Sequence, residues 1–111
     1  MIKATFYYEG EKITGFDISG HAGFAAHGHD IVCAAVSMLV TNTVNSIEVF
    51  TDSVTAFHEE ESKGAMSLNI REPGEDAELL LKALLLGLES VKKEYGKKYI
   101  EIRKSQNHKE V

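Results

Sequence analysis

The chain has 111 residues, of which 17 are acidic and 12 are basic, so that its formal net charge is −5. This length predicts one domain, residues 1–111, with a single modest hydrophobic core. The acidic balance argues against direct nucleic-acid binding, because nucleic-acid-binding proteins normally present a basic face. A single cysteine cannot form an internal disulfide, and no stretch has the apolar length of a signal peptide or a membrane span. We therefore expect a cytoplasmic protein that acts without a membrane.

The first two predicted elements form a β-hairpin. Residues 2–8 alternate between apolar and polar side chains, which is the period of a strand. A short turn at residues 9–11 precedes a second, less regular strand over residues 12–19.

A long connection then leads into the first helix. Residues 20–29 exceed the usual connection of about 4–6 residues, and their Gly, Ala and His content favours a functional loop. Asp30 is a preferred N-cap residue, and the apolar periodicity after it predicts a helix over residues 31–50.

The second half of the chain predicts two strands, a helix and a last strand. Alternation indicates strands over residues 53–60 and 63–71, followed by a helix that ends at Tyr95 before a glycine cap. Residues 97–103 indicate a short final strand, and the polar tail from Lys104 is expected to fray. The order ββαββαβ predicts an α+β two-layer sandwich, in which a mostly antiparallel sheet packs against both helices.

The segment between Gly20 and Ser37 carries the residues that could take part in catalysis. With Asp30 as the N-cap, Cys33 occupies the third helical position, where free N–H groups and the helix dipole favour a thiolate. The thiolate is the nucleophilic form of cysteine. His21 directly follows the second strand, so its position is fixed better than those of the other loop histidines, and it is the candidate base.

Simpler interpretations of the same residues stay open. A lone cysteine early in a buried helix is often only a small core residue. His27 and His29 in a glycine-rich loop often face solvent. Asp30 either only caps the helix or also orients a histidine, and Ser37, one turn after Cys33, either packs or binds a substrate.

Three pieces of this segment together resemble the ribosomal-processing cysteine proteases of the Prp (YsxB-like) family. They are Gly20-His21-Ala22, residues 28–35 with the sequence GHDIVCAA, and Ser37. The spacing between GHA and GHDIVCA is that of the family, and the resemblance covers the whole chain. The combined motif is specific, whereas a lone histidine or cysteine would not be.

The resemblance implies a small cytosolic endopeptidase that removes an N-terminal extension from large-subunit ribosomal protein twenty-seven. Cleavage would follow an aromatic pair and support ribosome assembly, and the enzyme would be a homodimer. By position, Cys33 would be the nucleophile, His21 the general base and Asp30 the matching family aspartate of the catalytic group. The substrate-binding positions would be Gly20, Gly23, Gly28, His29 and Ser37.

The expected chemistry is acyl transfer without a cofactor or metal. Cys33 would attack the scissile carbonyl, and the oxyanion would lie against backbone N–H groups near the start of the helix.

Two alternatives belong to other functional classes. One is a non-catalytic, ribosome-associated binding module with the same fold. The other is a metal site formed by His21, His27, His29 and Cys33, which lacks a CxxC or HExxH frame.

Overall fold

The strands and helices follow one another in the predicted order ββαββαβ. The computed structural model describes residues 1–25 and 30–106. A short 3₁₀ turn (Glu61–Lys63) joins the third and fourth strands. The elements are β1 (Ile2–Glu9), β2 (Lys12–Ser19), α1 (Ile31–Phe50), β3 (Thr55–Glu60), β4 (Ala65–Ile70), α2 (Glu75–Tyr95) and β5 (Ile100–Gln106).

Within the described part of the chain, the strands form one mixed sheet with the order β3-β4-β2-β1-β5. β1 and β2 form the predicted hairpin, and the β2–β4 and β3–β4 pairs are also antiparallel. β5 pairs in parallel with β1. A parallel pair needs a long crossover, which the intervening helices and strands provide. The predicted α+β class with a mostly antiparallel sheet is therefore confirmed.

The hydrophobic core lies between one face of the sheet and the two helices. Along β1, Ile2, Ala4 and Phe6 are buried, whereas Lys3 is exposed on the opposite face. The helical period of 3.6 residues gives each helix a matching apolar stripe, and all these side chains belong to one cluster. α1 buries Val32, Val36, Val40, Thr43, Val44 and Ile47, and α2 buries Ala77, Leu81, Leu84, Leu85, Leu88 and Val91.

α1 is long and apolar enough to cross a membrane by length and composition alone. In this fold its apolar stripe packs into the core, where Val32, Val40 and Ile47 have no exposed surface. Packing against the sheet and α2 therefore accounts for this stripe, whereas Ile31, Met38, Val49 and Phe50 of the same helix are exposed.

The strands on either side of the 3₁₀ turn are shorter than the sequence predicts. β3 begins at Thr55 rather than at residue 53, and β4 begins at Ala65 rather than at residue 63. The polar residues between them are taken up by the 3₁₀ turn and by Gly64, which has a left-handed conformation with φ of 59°. A residue in that conformation cannot continue a strand.

The last strand lies further along the chain than predicted, at Ile100–Gln106. It pairs with β1 over its whole length, and the Gln106 side chain also exchanges two hydrogen bonds with the backbone of Gly10. The prediction that the chain frays from Lys104 is therefore wrong for residues 104–106. Backbone pairing stabilises a polar strand as well as an apolar one. Residues 107–111 lie outside the described residues.

Candidate active site

Asp30 begins α1 and also fixes the loop in front of it. As predicted it is the N-cap, and its Oδ1 accepts the N–H groups of Val32 at 3.1 Å and Cys33 at 3.0 Å. Its Oδ2 accepts the N–H of Phe24 at 3.1 Å. Burial acts to raise the pKa of Asp30, but the hydrogen bonds from Cys33, Phe24 and Val32 outweigh it and lower that pKa. The carboxylate is therefore held in its charged form by backbone donors.

Cys33 lies in the first turn of α1, at the third helical position that the sequence predicts. Its partly buried Sγ accepts the N–H of Ala22 at 3.2 Å, so the end of the β2 segment contacts the start of the helix. Burial raises the pKa of the thiol; the Ala22 hydrogen bond opposes that rise, and the Asp30 carboxylate adds to it. The sequence predicts an environment that favours the thiolate, whereas burial and the Asp30 carboxylate raise the pKa of the thiol in this site.

His21 follows β2, and its imidazole packs against the turn before β4. A Cβ added to Gly64 would lie 3.1 Å from His21 Cε1 and 2.9 Å from the carbonyl oxygen of Gly20. The positive φ of Gly64 and this close approach both require glycine. Among residues 1–25 and 30–106, no hydrogen bond joins the His21 ring to Cys33 or Asp30.

One cavity of about 520 Å³ collects most of the predicted site residues. It lies where the start of α1 meets the end of β2 and the start of β4. The predicted catalytic residues Cys33, His21 and Asp30 line it, as do the predicted substrate-binding residues Ser37, Gly20 and Gly23. Two further predicted substrate-binding residues, Gly28 and His29, lie outside the described residues, as does His27.

Gly20 lines the cavity, and the backbone around it also requires a glycine at this position. Its φ is +97°, and a Cβ there would lie 2.5 Å from the carbonyl oxygen of Met1. Any side chain would therefore collide with the backbone just before β1 and displace the segment that carries His21.

The sequence analysis missed the wall that β3, the 3₁₀ turn and β4 provide. Glu59, Glu61, Gly64, Ala65 and Met66 line the cavity from this side. Their proximity depends on the pairing of β4 with β2, which brings residues about forty positions from His21 next to it. The acidic run and the glycine after it are visible in the sequence, but only the strand order places them at the site.

Three N–H groups at the start of α1, where the oxyanion was expected to bind, are already engaged. Those of Val32 and Cys33 donate to the Asp30 side chain, and that of Ala34 donates to the Asp30 carbonyl oxygen at 3.1 Å. The donor that contacts the sulfur is instead the N–H of Ala22. In this arrangement the N–H groups of Val32, Cys33 and Ala34 are therefore not free to bind an oxyanion, and the predicted use of donors near the start of the helix stays a prediction.

A metal site was the weaker alternative for these residues. Over residues 1–25 and 30–106, no three His, Cys, Asp or Glu side chains are grouped so that they could hold a metal ion. Two of the histidines in the alternative set, His27 and His29, lie outside that range.

Comparison with known proteins decides the family. A family model described as cysteine protease Prp matches residues 1–101. The chain belongs to the Prp family of cysteine proteases. The ribosomal processing cysteine protease Prp of Bacillus subtilis is 32% identical over 101 residues, which cover 86% of this chain and 90% of that protein.

Solved Prp structures share the fold. An essential ribosomal processing protease Prp from Staphylococcus aureus, in complex with a covalently linked product peptide, matches with a TM-score of 0.87 and 26% identity. The match covers 94% of this chain and 99% of that one. The same protease with a substrate peptide matches with a TM-score of 0.82, 25% identity and the same coverage. The family and the class of enzyme implied by the resemblance, a cysteine protease, are therefore confirmed.

Proposed function

We propose that this protein removes the N-terminal extension of large-subunit ribosomal protein twenty-seven through an acyl-enzyme on Cys33, and thereby supports ribosome assembly. One observation carries the proposal: the Cys33 thiol, the His21 imidazole and the Asp30 carboxylate line the same cavity. A nucleophile and a base around a site for the reacting carbonyl are what a cysteine peptidase needs. The names of the relatives, which describe ribosomal processing, support the substrate class.

In the proposed mechanism, the thiol proton passes to His21 as Sγ attacks the carbonyl carbon of the scissile bond. A C–S bond forms, and the negative charge moves to the carbonyl oxygen. The tetrahedral intermediate then collapses, the C–N bond breaks, and the amine leaves with the proton from His21. Water attacks the thioester while His21 accepts its proton, which releases the extension and restores the thiol.

The resting site fits a reaction that begins when the substrate binds. Cys33 has a raised pKa, and it is not hydrogen-bonded to His21 in the described residues. His21 is exposed to solvent, and the mechanism requires its side chain to turn toward the sulfur. We expect the bound peptide to exclude water from the cavity and to bring the two groups together. Asp30 then serves as the helix cap and loop anchor rather than as a direct partner of the imidazole.

The cavity walls fit an aromatic residue beside the scissile bond. Ile2, Ile18, Val36 and Met66 contribute apolar surface on the side of the core. A ring entering this part of the cavity would gain about 1.5–3 kcal/mol from burial. The proposed cleavage after an aromatic pair therefore agrees with the chemistry of the wall.

The opposite wall fits a basic continuation of the substrate. Glu59 and Glu61 join Asp30 in the lining, which contains no lysine or arginine among the described residues. Carboxylates at the rim attract a positively charged peptide and help to orient it. The precursor of a basic ribosomal protein supplies that charge.

We further propose that the enzyme is a cytoplasmic homodimer. Near the end of α1, Val49, Phe50 and Val54 are 72%, 75% and 83% exposed. Apolar side chains grouped in this way are typical of an interaction surface, and a second copy of the chain could cover them symmetrically. Sedimentation equilibrium should give twice the mass of the chain, and a monomer at micromolar concentration would contradict the dimer.

The substrate proposal is tested with the host's own ribosomal protein, carrying its encoded N-terminus. The purified wild type should shorten it at one site, detected by intact-mass analysis, and Cys33→Ala should leave it intact. Ser105→Ala is a suitable control, because Ser105 lies on β5 and does not line the cavity. Cleavage by Cys33→Ala, or binding without cleavage by the wild type, would contradict the proposal; the latter would favour a binding module.

A further inference from the structure

The loop between β2 and α1 is attached to the rest of the molecule by Phe24. Its ring makes an edge-to-face contact with Tyr95 at the end of α2, with ring centroids 5.6 Å apart. A second such contact joins it to Tyr99, just before β5, at 5.1 Å. Phe24 as a residue is 37% exposed, although it belongs to a loop. Edge-to-face pairs of this kind have a defined geometry and therefore fix the ring in place.

The backbone around Phe24 is fixed at two further points. The Phe24 N–H donates to Asp30 Oδ2. Two residues earlier, the Ala22 methyl group is buried in the core cluster and its N–H donates to Cys33 Sγ. Gly23, with a φ of +72°, makes the bend between these two points. Residues 22–24 therefore connect the Cys33 sulfur on α1 to the aromatic rings of Tyr95 and Tyr99.

We propose that Phe24 is a positioning residue, and this proposal rests on the acyl-transfer mechanism above. Tyr95 and Tyr99 hold its ring. The ring in turn keeps the Ala22 N–H directed at the reacting sulfur and at the oxyanion that forms beside it. The Ala22 N–H is then the catalytic group, because it touches the reacting atom. The N–H groups of Val32, Cys33 and Ala34 cannot take this role without leaving Asp30. A donor fixed in advance lowers the barrier more than one that must be recruited during the reaction.

The variant Phe24→Ala removes the ring and leaves every backbone donor in place. We expect kcat to fall about tenfold with KM within about twofold, since loosening one oxyanion donor costs less than the roughly hundredfold loss of deleting it. Phe24→Tyr keeps the ring contacts and should stay close to the wild type. Leu79→Ala is the control, because Leu79 is an exposed apolar residue on α2 about 24 Å from Tyr95.

A second readout does not require the ribosomal substrate. The Ala22 hydrogen bond opposes the rise in the thiol pKa, so Phe24→Ala should move the pH profile of Cys33 alkylation by iodoacetamide to higher pH. Thermal unfolding of each variant confirms that it is folded. Failure of the wild type to cleave the ribosomal protein would contradict the proposed function, and the alkylation profile alone would then decide the role of Phe24.

The donor itself is tested by an amide-to-ester exchange that replaces the Ala22 N–H with oxygen and keeps all side chains. This exchange should lower kcat about a hundredfold. The proposal is overturned if Phe24→Ala keeps both the kcat and the alkylation profile of the wild type. It is also overturned if only KM rises, because Phe24 would then contact the substrate instead of positioning the donor.

Discussion

At the scale of single residues, Asp30 determines the electrostatics of the nucleophile. Its Oδ1 caps α1 and its Oδ2 anchors Phe24, so the carboxylate remains charged next to the Cys33 thiol. That charge and burial raise the pKa of the thiol, although the helix terminus alone would lower it. In the free enzyme the Cys33 thiol therefore has a pKa above its ordinary value, which favours the protonated form.

Replacing Asp30 tests this electrostatic role. Asn is as good an N-cap as Asp, so Asp30→Asn retains the cap while removing the negative charge and, because an amide nitrogen cannot accept, the hydrogen bond from the Phe24 N–H. We expect the pKa of Cys33 to fall and its alkylation profile to move to lower pH, while the Phe24 ring keeps its two aromatic contacts. Asp52→Asn, an exposed charge that does not line the cavity, is the control. A profile that stays in place or moves to higher pH would be inconsistent with this account.

Gly64 offers a second prediction at this scale. Gly64→Ala should lower kcat/KM about tenfold or more, because the new methyl group would press on His21 Cε1 and the Gly20 carbonyl oxygen. The matched control is Gly10→Ala. Gly10 has a similar φ of +68° with nothing within 4 Å of an added Cβ, so both variants bear the same backbone cost of about 1 kcal/mol. Equal loss of activity in both variants would exclude a specific role for the Gly64 contact.

The sequence identified the site residues better than it identified their interactions. The N-cap at Asp30 and the helical position of Cys33 follow from local chemistry, so they could be predicted and are correct. The Ala22 donor, the Gly64 contact and the aromatic anchor of Phe24 could not, because each depends on packing between distant elements. The raised thiol pKa was missed for the same reason, since burial is a tertiary property.

At the scale of elements, the hairpin β1–β2 has a polar outer face that stabilises it independently of the core. The Tyr7 hydroxyl donates to Asp17 Oδ2 at 2.7 Å across the two strands. This hydrogen bond, together with desolvation and the carboxylate charge, raises the pKa of Tyr7 to about 12. His21 follows the end of the hairpin, so the stability of the hairpin affects how well His21 is positioned.

Tyr7→Phe removes this hydrogen bond and should lower the free energy of unfolding at pH 7 by about 0.5–1.5 kcal/mol. The folded state raises the pKa of Tyr7 above its ordinary value of 10.0, so the protonated phenol favours folding. The advantage of the wild type is therefore complete below about pH 10 and is lost as the pH approaches 12. Urea unfolding of both proteins from pH 7 to 12 would show this, and a difference independent of pH would contradict it.

Element boundaries follow the same division between local and distant causes. β2, α1 and α2 end where the sequence predicts, because caps and apolar periodicity specify them locally. The predicted β5 ends too early because residues 104–106 are polar and show no alternation, and its position is set by pairing with β1. The parallel direction of that pair likewise follows from the path of the chain rather than from any local signal.

At the scale of the whole molecule, charge should govern the encounter with the substrate. The net charge is −5, and Glu59 and Glu61 concentrate negative charge at the cavity. For a substrate with basic residues near the scissile bond, attraction of this kind raises the association rate and weakens with salt.

We therefore expect kcat/KM on the ribosomal protein to fall several-fold as ionic strength rises from about 0.05 to 0.5 M. The double variant Glu59→Gln, Glu61→Gln should have a higher KM at low salt and a flatter salt dependence. Glu89→Gln together with Glu94→Gln removes the same net charge from α2, away from the cavity lining, and serves as the control. An identical response of the two double variants would assign the effect to net charge alone.

The fold class could be predicted at this scale because the periodicities of strands and helices add up to one consistent order of elements. The strand order β3-β4-β2-β1-β5 could not, although it is what brings the 3₁₀ turn next to His21. The acidic wall of the site is thus a product of topology, and its residues carry no signal that links them to Cys33 in the sequence.

The central claim is that Cys33 forms an acyl-enzyme with the N-terminal part of the substrate. The most direct measurement is intact-mass analysis of the protein, quenched in acid during the first turnover of a peptide that spans the extension and the cleavage site. The account predicts a transient mass increase equal to the N-terminal fragment less one water, located on Cys33 and missing in Cys33→Ala. Cleavage of the peptide without any such adduct, or an adduct on another residue, would contradict it.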